Sequence, residues 1–272
     1  GLSRVTDFAG KWSHYEESLR VPLIIRDPRR GTRTHDHTVD DMALNLDIPA
    51  TILDIAGIKQ PASYQGRSLF PFTTGVEVQD WRTEFFIEHL MEFGDNIPKY
   101  EGVRNERMVY ARYFEQDPVY EFLHDLHRDP DQLENLVADP AYQETLHDFR
   151  TRTDTWVAAT GGPYDREEFQ ARPRPASSEP PNLLLIIGDD QSWTDFGFMG
   201  HPTIETPNLD ALADAGAVFT RGYVPTALCR PSLATLATGL YAHTHGITGN
   251  DPTIPDISID LDYLNDSLYR AV

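Results

Sequence analysis

Cysteine is all but missing from this chain: Cys229 is the only one among 272 residues. One thiol excludes an internal disulfide framework and any zinc site built from paired cysteines. Positive charge is scarce too. Against 43 Asp and Glu stand only 23 Lys and Arg, a formal net charge of −20. Such a chain lacks the basic face that a nucleic-acid partner needs, and an anionic substrate would have to be drawn in by a local cation such as a metal. Long apolar runs are absent as well. The run at residues 183–187 falls far short of the roughly 20 residues of a membrane span, so no membrane partner is expected. The first residues carry no visible signal peptide. What is present is ordinary: 40% hydrophobic and 24% charged residues, enough for a soluble globular chain with a substantial core.

The chain divides by composition into 1–80, 81–173, a linker at 174–181 and 182–272. In the first part, the apolar stretch from Arg20 to Arg26 suits a strand buried in a parallel sheet. Asp47 is placed to cap a helix over 48–56, with Pro49 in its first turn and Gly57 just past its end. In the second part, residues 107–114 and 119–123 are rich in aromatic and β-branched residues and read as strands. A helical tail over 132–157, broken near Pro140, completes a small antiparallel sheet with a helix. Proline and serine crowd 171–181, which reads as a linker. Beyond it, 182–188 reads as a strongly buried strand, 207–215 as a helix and 217–224 as a strand. Pro231 then fits the first turn of a helix reaching Gly239, with Cys229 at its cap.

Two features of the last part carry chemistry. Asp189 and Asp190 follow the carboxyl end of an apolar run, the edge at which open α/β sheets bind ligands. Adjacent carboxylates suit a hard cation, Ca2+ or Mg2+, or else form a solvated acidic turn. Cys229 follows 217–224 at a helix start, where free backbone N–H groups bind anions and favour a thiolate. The alternative is a small buried apolar residue. His243 and His245 could ligate a metal or only shape their loop. Lys11, between aromatic and acidic neighbours, reads by itself as a surface lysine. His124 and His127 read as strand-to-turn residues without chemistry.

Taken together, these segments resemble the sulfatases of the alkaline-phosphatase superfamily. The stretch from Pro181 to Asp190 is similar to that fold's first strand with its metal-binding acid pair, and Thr206 to Ala213 to the helix after it. Cys229-Arg230-Pro231-Ser232, continuing through Thr238-Gly239 to His243-Thr244-His245-Gly246, resembles the signature around the cysteine oxidised to formylglycine. Gly10-Lys11, Tyr15-Glu16 and Arg20 to Leu23 resemble the region whose lysine contacts sulfate. The stretches 47–57, 65–69 and 127–131, with Asn135-Leu136, extend the likeness over nearly the whole chain.

The resemblance implies an α/β fold: an alkaline-phosphatase-like sheet with helices on both faces, plus a small antiparallel sheet and helix subdomain, permuted and incomplete. It implies a sulfuric ester hydrolase in which Asp189, Asp190 and Cys229 ligate Ca2+, more readily than Mg2+. Cys229, as formylglycine, is the nucleophile, and Lys11 steadies the sulfate. A sulfated small molecule or carbohydrate is the implied substrate, a formylglycine-generating enzyme the implied partner, and the periplasm or exterior the implied location. Three departures stand beside it. Segments like the family's C-terminal half come first, its middle is absent, and Leu233 stands four residues after the cysteine, where the maturation motif has arginine. Circular permutation, an engineered rearrangement or a junction of neighbouring genes would each give that order. A phosphate or phosphonate ester hydrolase of the same superfamily and a catalytically incompetent sulfatase-derived fragment are the alternative functions.

Overall fold

The computed structural model describes residues 12–30, 38–74, 78–91, 98–160 and 182–250. Its strands are β1 (Arg20–Ile25), β2 (Thr38–Val39), β3 (Ala43–Leu44), β4 (Glu84–His89), β5 (Tyr100–Asn105), β6 (Met108–Tyr113), β7 (Tyr120–Asp125) and β8 (Ala217–Tyr223). Its helices are α1 (Glu16–Leu19), α2 (Asp47–Ile55), α3 (Gln143–Thr160), α4 (Pro207–Asp214), α5 (Cys229–Thr238) and α6 (Ala242–His245). The architecture is mixed α/β.

One sheet is organised around β8. On one edge β1 pairs antiparallel, from Arg20 opposite Tyr223 to Ile25 opposite Ala217. On the other edge β2 and β3 both pair parallel. The ladder with β1 is irregular between Val21 and Leu23, where Pro22 has no N–H to offer. The run at 20–26 is therefore a strand, but half-buried and antiparallel to its only described neighbour rather than buried in a parallel sheet.

The second sheet is an antiparallel meander, β4-β5-β6-β7. At Gly102 any side chain is excluded, because a Cβ would lie 2.0 Å from the carbonyl oxygen of Tyr110 on the next strand. Leu146 and Phe149 of α3 bury against Val103, Tyr110 and Leu123 of this sheet. The expected break near Pro140 is present as two short 3₁₀ turns, 136–138 and 140–142, ahead of α3. A core of Leu19, Leu44, Leu46, Phe85, Ile87, Tyr223 and Tyr241 joins the two sheets, and the Phe85 and Tyr223 rings lie 4.9 Å apart. Full burial of aromatics of this size makes the joint core one of the main stabilising features.

Two local expectations are corrected. Asp47 does not cap α2; Leu46 occupies the cap position, and no side chain caps it. The Asp47 carboxylate instead accepts from the N–H groups of Leu44 and Arg67, each at 2.8 Å, and from the Arg82 guanidinium. Ionic pairing with a buried arginine has outcompeted the local cap.

Residues 182–188 form no strand and are exposed, Leu184 at 87% and Ile186 at 67%. The reason is topological. An all-apolar strand needs partners on both edges and cover on both faces, and among the described residues no strand pairs with this run. Such a run is an association hazard. Replacing Leu184 and Ile186 by lysine is expected to lower light scattering at high protein concentration. The midpoint of thermal unfolding should stay unchanged, since surface substitutions of this kind shift stability by about 0.5 kcal/mol or less. A large fall in that midpoint would mean the run is packed in solution.

Candidate active site at the start of α5

The last residues of β8 deliver the chain to a loop held from three directions. Asn45 N–H donates to the Tyr223 carbonyl at 3.0 Å, Val224 N–H to the Leu19 carbonyl at 2.8 Å, and Glu88 N–H to the Pro225 carbonyl at 3.0 Å. Thr226, Ala227 and Leu228 are buried. Leu228 is extended, with φ −117° and ψ 138°, and α5 begins with Cys229 as its first helical residue. Cys229 is thus one position inside the cap expected for it. The Ser232 N–H closes the first turn onto the Leu228 carbonyl at 2.8 Å.

Three amide side chains hold α5. Asn250 Oδ1 accepts from the Arg230 N–H at 3.0 Å, satisfying one of the donors that a helix start leaves over. Asn45 Nδ2 donates to Ser232, at 3.0 Å to its carbonyl and 2.9 Å to its hydroxyl. At the far end Gly239 turns the chain with φ +70°, and Gln65 receives the Tyr241 N–H at 2.8 Å.

Asp189 and Asp190 reach the same place from the opposite direction. Asp190 sits at φ +56°, a left-handed turn that aspartate tolerates better than most residues. The turn brings a carboxylate oxygen of each aspartate and the Cys229 sulfur within 4.8 Å of one another. Both aspartates are exposed and Cys229 is half-buried. The sequence argument had them meet along one edge of a parallel sheet. Here Cys229 follows a strand, whereas 182–188, before the acids, is in no strand. Lys11 lies outside the described residues.

The histidines divide. His245 Nδ1 accepts from the Ile247 N–H at 3.0 Å, so its Nε2 carries the proton facing Thr235 Oγ1 at 3.1 Å. Burial holds it down at about 4, and it shapes the loop as a neutral ring. His243 donates its backbone N–H to Glu88 Oε2 at 3.0 Å. Neither joins the acid pair. His124 packs into a buried aromatic cluster, its Nε2 at 3.3 Å from His14 Nε2. Burial lowers both rings, consistent with a packing role.

Sequence reading missed Glu88. It is wholly buried at the end of β4, and burial pushes it up to about 8 even though backbone N–H groups of His243 and Ala242 pull the other way. Its only sequence signal was an acid closing the apolar triplet Phe85-Phe86-Ile87.

Comparison with known proteins identifies the family. Residues 7–157, more than half of the chain, match the family described as N-sulphoglucosamine sulphohydrolase, C-terminal, and residues 181–271 match Sulfatase. The C-terminal type of segment therefore precedes the other. Arylsulfatase A of Bos taurus is 55% identical over 64 residues, 24% of this chain and 13% of that protein. The Delta 4,5-hexuronate-2-O-sulfatase of Bacteroides thetaiotaomicron is 30% identical over 172 residues, 60% of this chain and 33% of that protein. The solved phosphonate monoester hydrolase of Agrobacterium radiobacter is 25% identical with a TM-score of 0.36, covering 42% of this chain and 24% of that one. The chain thus spans a third or less of the length of these relatives. By the extent of the family matches, it belongs to the sulfatase family of the alkaline-phosphatase superfamily.

Proposed function

We propose that this chain is a sulfuric ester hydrolase whose site is built on Asp189, Asp190 and Cys229, with Lys11 steadying the sulfate. The observation that carries the reading is the approach of two carboxylates and the chain's single thiol within 4.8 Å at the start of α5. Two carboxylates on an exposed turn fit a hard cation, and Ca2+ suits an irregular shell better than Mg2+, which demands near-octahedral geometry. A thiol sulfur is a poor ligand for Ca2+, so the donor set fits better once Cys229 carries oxygen.

As formylglycine, Cys229 would offer a hydroxyl of its hydrated aldehyde to the sulfate sulfur, the bond from that sulfur to the substrate alcohol breaking as the alcohol leaves. A cation held by the two aspartates would supply positive charge against the sulfate oxygens. The chain's own part is to place the groups. The two aspartates offer carboxylate oxygens, the first turn of α5 presents its positive end to an anion, and Asn250 and Asn45 fix the direction of that turn. A sulfated carbohydrate is the preferred substrate class, supported by the name of the hexuronate 2-O-sulfatase relative. A formylglycine-generating enzyme, with molecular oxygen as oxidant, converts the Cys229 side chain to the aldehyde with loss of its sulfur, and the chain works in the periplasm or outside the cell.

The test is co-expression with a formylglycine-generating enzyme, mass spectrometry of the peptide bearing residue 229, and hydrolysis of an aryl sulfate with and without Ca2+. We expect an aldehyde at 229 and turnover that requires Ca2+ and is lost in Cys229→Ala. Leu233 is half-exposed, so Leu233→Arg can be accommodated and should raise the aldehyde fraction. Protein carrying the aldehyde that hydrolyses no sulfate ester, or prefers an aryl phosphonate, would overturn the reading.

A further inference from the structure

We propose that Arg20 and Trp193 are positioning residues for this site: their guanidinium–indole stack fixes the acid-pair turn to the strand that delivers Cys229. The proposal rests on the reading that Asp189, Asp190 and Cys229 form one site.

Among the described residues no strand leads into the acid pair. The arm before it, 182–188, is exposed. Both aspartates are themselves exposed. Downstream the chain tightens at once. Asp195 N–H donates to the Ser192 carbonyl at 3.0 Å and Ser192 N–H to Asp195 Oδ2 at 2.8 Å, closing a 3₁₀ turn at Trp193–Asp195. Anything that fixes Trp193 therefore fixes a rigid unit beginning two residues after Asp190.

What fixes Trp193 is Arg20, the first residue of β1. Its Cζ lies 3.9 Å from the centre of the Trp193 ring. The same guanidinium is oriented by donating from Nε at 3.0 Å and Nη2 at 2.6 Å to the carbonyl of Thr220 on β8. A planar fork can do both at once, gripping a carbonyl in its plane and stacking an indole on its face; an ammonium cannot. Thr220 lies on β8, which leads through the buried loop to Cys229. The connection thus closes a circuit from Cys229 along β8 to Arg20, Trp193 and the acid pair.

The chain's single thiol lets this be read without metal or turnover. In metal-free protein with unmodified Cys229, two nearby carboxylates repel an anionic disulfide reagent but not a neutral one. The measurement is the ratio of Cys229 reaction rates with 5,5′-dithiobis(2-nitrobenzoate) and neutral 4,4′-dithiodipyridine at low salt. Asp189→Asn with Asp190→Asn sets the value for a site without that charge, raised about fivefold on simple Coulomb grounds. Arg20→Lys and, independently, Trp193→Ala should move the ratio most of the way to that value. Trp193→Phe, which keeps a stacking ring, should leave it near wild type. Thermal unfolding of each variant checks the fold.

If Arg20→Lys and Trp193→Ala keep the wild-type ratio while the asparagine pair shifts it, the stack is not the anchor. If the asparagine pair shifts nothing, the acids do not sit beside Cys229, and the anchor falls with that geometry. If the ratios behave as expected but calorimetry finds no Ca2+ binding, the anchor stands and the cation reading fails.

Discussion

Asp47→Ala is expected to destabilise the protein by about 3–5 kcal/mol, the loss seen when one partner of a buried ion pair is removed. Asp47 is fully buried and its carboxylate has four donors: the N–H groups of Leu44 and Arg67 and two nitrogens of Arg82. Arg82 is itself largely buried. Alanine would strand a guanidinium and two backbone donors where little water can reach them, and each stranded group carries its full desolvation penalty. Asp47→Asn keeps an acceptor and should lose less. Adding Arg82→Met to Asp47→Ala should recover part of the loss, because the charge left without its partner goes too. Urea unfolding with a shared slope measures all three. A loss below about 1 kcal/mol for Asp47→Ala would mean that water reaches Arg82.

The second large effect depends on pH. Glu88 is raised from its ordinary 4.5 to about 8, chiefly by burial. Its proton is held by the native state and released by the unfolded chain over that interval. The stability it contributes is therefore complete below pH 4.5 and lost as pH rises through about 8. Glu88→Gln removes this dependence while keeping a carbonyl oxygen for the His243 N–H. Near pH 5 the variant and wild type should unfold at similar denaturant concentrations. At pH 8–9 the variant should be more stable, by a margin on the order of 4 kcal/mol. Equal differences at both pH values would place Glu88 in contact with solvent.

Much of the fold was legible because it is locally encoded. Strand β8, helix α4, the Pro231-to-Gly239 helix and strands β6 and β7 were read from β-branched, aromatic or capping residues. Strands β4 and β5 were missed for a physical reason. Glu84, Glu88, Glu101 and Arg104 interrupt their apolar pattern; three of these charges pair elsewhere, Glu84 with Arg152, Glu101 with Arg112 and Arg104 with Glu16, while Glu88 is buried and raised to about 8. No local pattern encodes such pairings.

The opposite error came at 183–187, where apolar content mimicked a buried strand. Hydrophobicity states what a segment needs, not whether the chain supplies its neighbours. At the site, the meeting of Asp189, Asp190 and Cys229 was readable, whereas the parallel-sheet edge expected to join them was not what the structure shows. Arg20 and Trp193, far apart in the chain, carry no signature that would link them in advance.

The placement of β8 also sets the order in which this molecule can be made. Its registered partners on β1 lie roughly 200 residues earlier, and β2 and β3 nearly as far. A ribosome that has finished β1, β2 and β3 must produce the whole meander, α3 and α4 before their shared neighbour exists. The meander β4-β5-β6-β7, whose pairings are all sequence-local, can assemble in the meantime and present Phe85 as a waiting half of the joint core. Closing so long a loop is slow relative to local pairing. The first sheet, and with it the loop that carries Cys229, takes shape after the meander, and the thiol stays outside its folded surroundings until β8 has paired.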